Sequence, residues 1–161
     1  MLGMALNNLN DLDFANRRYN GWQQVEKSIT FDGGTENAIG DYNGTGNPFD
    51  IFTVTGEVKI KVVGICTTSL EGATSTLEVG VTGTTAGIIA QTTGTDIDIN
   101  EIWHDTSPDA GVEVATVMIE NIIANGLDVI GTVGTANITA GVIKFIALWR
   151  PLSFDGNVVA A

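Results

Sequence analysis

The chain has 161 residues, of which 43% are hydrophobic and only 16% are charged, and its formal net charge is −12. This length is typical of a single domain that buries a hydrophobic core. The low charged fraction predicts that part of the surface is covered by something other than water. Direct nucleic-acid binding needs a basic surface, which this composition excludes, and anionic membranes are disfavoured for the same reason.

Residues 1–27 are predicted to form an extended N-terminal arm. The segment is rich in asparagine, a poor helix former, and no secretory signal is visible at its start. It contains Arg17 and Arg18, and two aromatic residues, Tyr19 and Trp22, lie beside them. Arginine and aromatic residues are enriched at protein–protein contacts. The arm is therefore a candidate partner-binding segment.

Residues 28–151 are predicted to form the β-domain. Its first part, residues 28–47, is a Gly/Asn-rich loop segment with turn chemistry and no periodicity beyond one short strand candidate. From Pro48 onward, short apolar runs bounded by turn residues predict strands, and the clearest alternation of polar and apolar residues is Glu57–Thr67. Residues 152–161 are predicted to be a C-terminal tail.

The second half of the chain contains the strongest turn signal. Asn125-Gly126 lies between two apolar runs, Val112–Ile123 and Leu127–Val133, and predicts a hairpin because both turn residues accept a positive φ. Gly141–Arg150 is apolar on both faces, which indicates a central strand covered on both sides. With about eight strands and no convincing helix, the pattern predicts an all-β fold, namely a β-sandwich in which we favour a jelly-roll-like topology.

The sequence gives little indication of catalysis. Between Lys61 and Lys144 there is no lysine or arginine, and His104 is the only histidine. A Ser–His–Asp site has no other base to use, and no nucleophile elbow or P-loop lysine is present. Acidic residues leave a paired-carboxylate site open, although no pair stands out. We predict that the protein is not an enzyme and that it needs no cofactor.

One acidic loop, residues 95–105, has the high density of polar and charged side chains that is typical of a binding site. Asp96, Asp98 and Glu101 are candidate Ca²⁺ ligands, and the spacing opens like an EF-hand loop. The likeness then fails, because Glu101 replaces the glycine of the sixth position and Ser107 replaces the glutamate of the twelfth. A zinc site needs three or four ligands, and the chain has one histidine. We predict a solvated loop with no metal, and these three carboxylates are its only calcium candidates.

Three blocks, which lie within residues 48–161, resemble small proteins encoded in the genomes of tailed bacteriophages: PFDIFTVTGEVKIKVVGIC, STLEVGVTGTTAGIIAQTTGTDIDINEIWHD and ANGLDVIGTVGTANITAGVIKFIALWRPLSFDGNVVAA. The resemblance implies a virion structural protein of the capsid decoration, or cement, type. It implies a homo-oligomer, usually a trimer, that is made in the host cytoplasm and binds the major capsid protein on the capsid surface. The resemblance does not assign a catalytic or ligand-binding role to any residue of this chain.

With this implication, the arm residues Arg17, Arg18, Tyr19 and Trp22 are predicted to contact the capsid or neighbouring copies. Charge contrast between a basic arm and an acidic body would support the specificity of that contact. Two alternatives stay open: a host-adhesion or carbohydrate-binding module on a phage tail or fibre, and a Ca²⁺-stabilised extracellular β-domain. The first requires a row of exposed aromatic residues, in which the chain after residue 48 is poor.

Overall fold

The computed structural model describes residues 21–161, so that Arg17, Arg18 and Tyr19 of the predicted arm lie outside the described residues. Helical structure in this part of the chain is limited to two 3-10 turns, Gly94–Asp96 and Ala115–Val117, and none of it is long and apolar enough to cross a membrane. The remaining elements are strands: β1 (Gln23–Thr30), β2 (Phe49–Thr55), β3 (Val58–Glu71), β4 (Thr76–Val81), β5 (Thr84–Thr93), β6 (Glu101–Trp103), β7 (Asp109–Ala110), β8 (Asn121–Ile123), β9 (Val129–Gly134), β10 (Ala140–Pro151) and β11 (Asn157–Ala160).

These strands form two antiparallel sheets that pack face to face. Sheet I has the order β1-β10-β3-β6-β7, and β8 pairs with β3 next to β6. Sheet II has the order β11-β2-β9-β4-β5. The hydrophobic core lies between the two sheets. The predicted all-β class and the β-sandwich are thus confirmed.

The strand pairs are nested along the chain. β1 pairs with β10, β2 with β9, β3 with β6, and β4 with β5. Successive pairs lie alternately in sheet I and sheet II. The chain therefore crosses from one sheet to the other at most of its connections, which closes the sandwich around one core. The jelly-roll form of the sandwich stays a prediction.

The core is built from alternate residues of the central strands. In β10, the residues Ile143, Phe145, Ala147 and Trp149 face inward and are at most 5% exposed. Residues of sheet II face them with branched and aromatic side chains: Ile51, Phe52, Val54, Leu77, Val79, Ile89, Val129 and Val133. Such burial is the main stabilising contribution, at about 25 cal/mol for each Å² of apolar surface.

Strands on both sides of the predicted domain, residues 28–151, also belong to the sandwich, and this corrects two predicted boundaries. Residues 23–27 were assigned to the arm, yet β1 begins at Gln23 and pairs with β10 along its whole length. The predicted tail contains β11, which pairs with β2. Short edge strands with mixed composition lack a clear period, and tertiary pairing decides their structure. The Nζ atom of Lys27 donates hydrogen bonds to main-chain oxygens of Asp50 (3.0 Å) and Ala161 (2.6 Å), which ties these edges together.

The predicted hairpin at Asn125-Gly126 is wrong, although its turn is correct. Both residues have positive φ, 58° and 63°, as the turn requires. The strands on either side, however, pair in different sheets: β8 with β3, and β9 with β2 and β4. The long run Val112–Ile123 is also not one strand, because only Asn121–Ile123 is paired and a 3-10 turn interrupts the rest.

A buried hydrogen bond joins the two sheets. Trp103 of β6 is fully buried, and its Nε1–H donates to Oγ1 of Thr92 on β5 over 2.9 Å. The Thr92 side chain is also buried, and its hydroxyl lies 2.9 Å from the carbonyl oxygen of Asp105. Because a buried indole N–H requires an acceptor, this contact constrains how β6 sits on sheet II.

We expect Thr92→Val to lower the free energy of unfolding by about 1–3 kcal/mol, because valine keeps the shape but leaves the Trp103 N–H without an acceptor. Urea unfolding measures the change. The matched control is Thr93→Val on the exposed face of the same strand, which should change stability by less than about 0.5 kcal/mol. Equal effects of the two variants would show that the hydrogen bond contributes nothing.

Candidate functional site

The outer face of sheet I is the most distinctive surface of the molecule. On β10 the residues that alternate with the core row are half-buried: Val142, Lys144, Ile146, Leu148 and Arg150. They lie opposite residues of the neighbouring strand β3 that point to the same face. The opposed pairs are Ile146 and Val63, Leu148 and Lys61, and Lys144 and Ile65. Because strand β10 is apolar on both sides, a row of aliphatic side chains runs along this outer face, which within residues 21–161 is covered only in part.

The cations of the described chain are concentrated on this face. Every lysine and arginine in residues 21–161 except Lys27 lies on it: Lys59, Lys61, Lys144 and Arg150. The carboxylates, which outnumber them, lie mainly on the loops and the other strands, and two of them pair with cations of this face: Glu26 of β1 is 3.8 Å from Lys144 Nζ, and Glu120 is 2.7 Å from Lys59 Nζ. A strongly acidic chain therefore carries one face on which positive charge borders an aliphatic row.

Trp22 lies on the same face, just before β1. Its ring is 4.5 Å from Cζ of Arg150 and 5.0 Å from Nζ of Lys61, measured to the ring centroid, and both are cation–π contacts. Of the four residues predicted to contact a partner, Trp22 is the one within the described chain. The structure places it on the sheet rather than on a separate arm.

The segment from Gly111 to Glu120 lies over part of this face. Val117 and Met118 pack above Val63 and Ile65 around a cavity of about 210 Å³. The segment is anchored by an ion pair of 2.7 Å between Lys59 Nζ and Glu120 Oε1, and the hydrogen bond from Lys59 lowers the pKa of Glu120. Aliphatic side chains of this segment and of β8 point into solvent: Val112, Val114, Ile119 and Ile122, all more than 60% exposed. Together with the outer face they form an extended apolar surface, which we call the sheet I surface.

The predicted calcium candidates do not come together. Asp96 and Asp98 are exposed, and Oε2 of Glu101 accepts a hydrogen bond from the backbone N–H of Asp98 over 2.7 Å. Within residues 21–161, these three carboxylates do not form a group with converging ligand atoms. The loop is held by its own backbone contacts.

A different group of side chains does converge at the β6/β7 edge of sheet I: His104, Asp109 and Glu113, whose potential ligand atoms lie within 4.8 Å of one another. The His104 side chain is only 6% exposed. Its Nε2 atom lies 3.6 Å from Asp109 Oδ2 and 3.9 Å from Glu113 Oε2. These distances exceed those of a hydrogen bond, and the buried Nε2 has no hydrogen-bond partner. Leaving such an atom unpaired costs about 1–3 kcal/mol.

The two carboxyl groups of this cluster affect each other. The Asp109 carboxyl donates a hydrogen bond to the Glu113 carboxylate, and this contact raises the pKa of Asp109. The backbone N–H of Val114 donates to Glu113 Oε1 over 2.6 Å and, with the Asp109 hydrogen bond, lowers the pKa of Glu113. The sequence interpretation missed this group because it counted histidines and searched the spacing of the acidic loop. The available signal was one histidine followed by carboxylates five and nine residues later.

Cys66 lies in the core. It is 1% exposed, and its Sγ atom is 3.2 Å from the carbonyl oxygen of Thr68. Burial raises the pKa of the thiol from 9.0 to about 11. The residue therefore has neither the exposure nor the thiolate population of a nucleophile.

Comparison of the chain with protein-family models, with curated proteins and with solved structures finds no match. The fold and the two surface features described above therefore carry the functional argument: an uncovered apolar and cationic sheet face, and a histidine–carboxylate cluster at its edge.

We expect Cys66 in the folded protein to resist thiol reagents at pH 8. The raised pKa reduces the thiolate population there by about a hundredfold, and burial blocks access as well. Release of chromophore from a disulfide reagent would measure the rate. The same residue in the urea-unfolded chain is the control and should react rapidly. Reaction of the native protein at the unfolded rate would contradict the buried position.

Proposed function

We propose that this protein is a non-catalytic structural component of a bacteriophage virion, with a jelly-roll β-sandwich that assembles with copies of itself and binds the capsid as a decoration protein. The nested pairing of β1 with β10, β2 with β9, β3 with β6 and β4 with β5 supports the jelly roll, because a jelly roll is a double sheet built from such wrapped antiparallel pairs. The resemblance of residues 48–161 to phage-encoded proteins supports the virion assignment.

The observation that carries the proposal is the sheet I surface. The half-buried residues Ile146, Leu148 and Ile65 form an aliphatic row, and Val63 beside them is buried beneath residues 111–120. The apolar surface continues into the exposed side chains of residues 112–122. Monomeric proteins rarely leave contiguous apolar surface of this kind uncovered, and such patches mark contact surfaces. Trp22 and Arg150, which are in contact beside the row, are also of the residue types enriched at interfaces.

Charge distribution favours a second copy as the occupant of this surface, in a head-to-tail arrangement. A two-fold contact with its axis at Lys61 and Arg150 would bring these cations of one copy towards the same cations of the other. The β6/β7 edge of the same sheet is acidic, since Glu101, Asp105 and Asp109 lie there. A heterologous contact between the cationic part of one copy and the acidic edge of the next avoids this repulsion. Such contacts form a closed ring, for example a trimer, when the rotation from one copy to the next closes.

The alternative function, adhesion or carbohydrate binding on a tail or fibre, has less support. Strongly exposed aromatic side chains are limited, within the described part of the chain, to Tyr42 and Phe154. They belong to loops about a hundred residues apart in sequence and do not form the row along one sheet that such a module would use. Electron microscopy of labelled particles separates capsid from tail placement directly.

We expect Ile146→Asp to disrupt self-association, because it places an unpaired carboxylate in the centre of the aliphatic row. The dissociation constant should rise by at least about a hundredfold. Sedimentation velocity of the purified protein measures the assembly state, and far-UV circular dichroism checks that the variant is folded.

The matched control for this experiment is Thr53→Asp, which adds the same charge on the exposed outer side of sheet II. It should leave the assembly state unchanged. The proposed surface is refuted if the wild-type protein is monomeric at every concentration tested, or if Ile146→Asp assembles as well as the control.

We further expect deletion of residues 1–20 to abolish capsid binding while preserving the unfolding free energy of the β-domain. The cut ends before Trp22 and β1, whereas a cut at residue 27 would remove most of the pairing between β1 and β10. Co-sedimentation with undecorated capsids measures binding. Normal decoration by the truncated protein would exclude the arm as the attachment segment.

A further inference from the structure

The structure assigns a binding site for a divalent first-row transition-metal ion, of which Zn²⁺ is the representative, to His104 Nε2 and the carboxylates of Asp109 and Glu113. The site does not depend on the proposed function, since it rests on the geometry of the cluster alone. It lies on the β6/β7 edge of sheet I, where Ile102 pairs with Asp109 and His104 follows two residues later on the same face.

The orientation of His104 is the first argument. Its side chain is more than nine-tenths buried, and the buried Nε2 atom has no hydrogen-bond partner. That atom is directed between the carboxylates of Asp109 and Glu113. A buried imidazole nitrogen that faces two carboxylates without a hydrogen bond has the arrangement of a metal ligand when it is unprotonated, because a cation then satisfies all three groups at once.

The distances are the second argument. Ligand atoms at about 2.1 Å from a tetrahedral Zn²⁺ lie about 3.4 Å apart. The Nε2 atom of His104 is 3.6 Å from Asp109 Oδ2 and 3.9 Å from Glu113 Oε2. The two distances from Nε2 are therefore within a few tenths of an ångström of that spacing, and the ligand atoms of all three residues lie within 4.8 Å of one another. Asp109 and Glu113 are the more exposed members of the group, so the ion can enter from solvent and keep water as a further ligand.

Asp105 completes the site from behind the imidazole. Its Oδ2 atom faces His104 Nδ1 at 3.6 Å, and its Oδ1 atom accepts a hydrogen bond from the backbone N–H of Ser107 over 2.7 Å. At 3.6 Å this contact is longer than a hydrogen bond. Closing it by a few tenths of an ångström when the ion binds would let Nδ1–H donate to Asp105, which fixes the tautomer in which Nε2 binds the metal and raises the basicity of Nε2. Asp105 is thus the positioning residue of the site.

The ligand types select the class of ion. Imidazole nitrogen suits Zn²⁺ and its first-row neighbours, whereas Ca²⁺ takes six to eight oxygen ligands. A set of one nitrogen and two carboxylates therefore favours Zn²⁺ over Ca²⁺. The ion would close the loop from His104 to Glu113 and fix the start of the segment that lies over sheet I, because Glu113 also lines the cavity beneath that segment.

The decisive experiment observes the imidazole itself in the full-length wild-type protein, with Zn²⁺ alone as the probe. His104 is the only histidine of the chain, so its ¹⁵N signals need no variant for assignment. Saturating Zn²⁺ should move the Nε2 signal to the metal-bound range and leave Nδ1 protonated. Unchanged imidazole signals at saturating Zn²⁺ would overturn the proposal.

Calorimetric titration of variants tests the remaining ligands. Asp109→Asn and Glu113→Gln should each weaken Zn²⁺ binding by at least about a hundredfold, and Asp105→Asn by about 10- to 100-fold, the range for outer-shell partners. Asp96→Asn makes the same charge change on an exposed loop carboxylate and should leave the affinity unchanged. Equal affinity in all four variants would refute the site, as would Ca²⁺ binding as tightly as Zn²⁺ to the wild type. Circular dichroism confirms the fold of each variant.

Discussion

Strand β10 pairs with β1 along one edge and with β3 along the other, and this two-sided pairing places the other features of sheet I. Its inner row, from Ile143 to Trp149, forms the centre of the core. Its outer row alternates with the inner one, since successive side chains of a strand point to opposite faces. An apolar inner row therefore leaves Lys144, Ile146 and Leu148 on the uncovered side, where β3 contributes matching residues. The core and the sheet I surface therefore lie on opposite faces of the same paired strands, β3 and β10.

The local sequence pattern predicts the positions of strands and turns better than it predicts which strands pair with each other. The alternation of Glu57–Thr67 and the two-sided apolar character of Gly141–Arg150 identified β3 and β10, because both signals arise from neighbouring residues of one strand. Asn125-Gly126 was correctly read as a turn for the same reason. Its hairpin was wrong because the choice of pairing partner depends on contacts far along the chain: β8 joins β3 and β9 joins β2 and β4. For the same reason the sequence does not predict β11 or the start of β1, because these strands form by pairing with the strands beside them.

The two surface features differ in how visible they are in the sequence. The aliphatic row was signalled by Gly141–Arg150, although the cover expected on its second side is absent over much of sheet I among the described residues. The many β-branched residues of Val112–Ile123 predict a strand, whereas most of this run forms an unpaired segment with exposed aliphatic side chains. The histidine–carboxylate cluster depends on a loop that folds His104 back towards Glu113. Spacing along the chain does not specify such a loop. The side chains with the regular D-x-D-x-N spacing, in residues 96–100, do not come together around one point.

Sheet I also separates charge in a way that links the two features. Cations lie on its central strands β10 and β3, and carboxylates lie at its β6/β7 edge. In a head-to-tail ring this edge would meet the cationic face of the next copy, so the edge must hold a defined shape for the contact to be specific. The loop between β6 and the segment over sheet I is the least regular part of that edge. An ion bound by His104, Asp109 and Glu113 would fix this loop with three bonds, and it would also neutralise part of the negative charge. Too much neutralisation would weaken the attraction between copies, so shape and charge at this edge act in opposite directions on assembly.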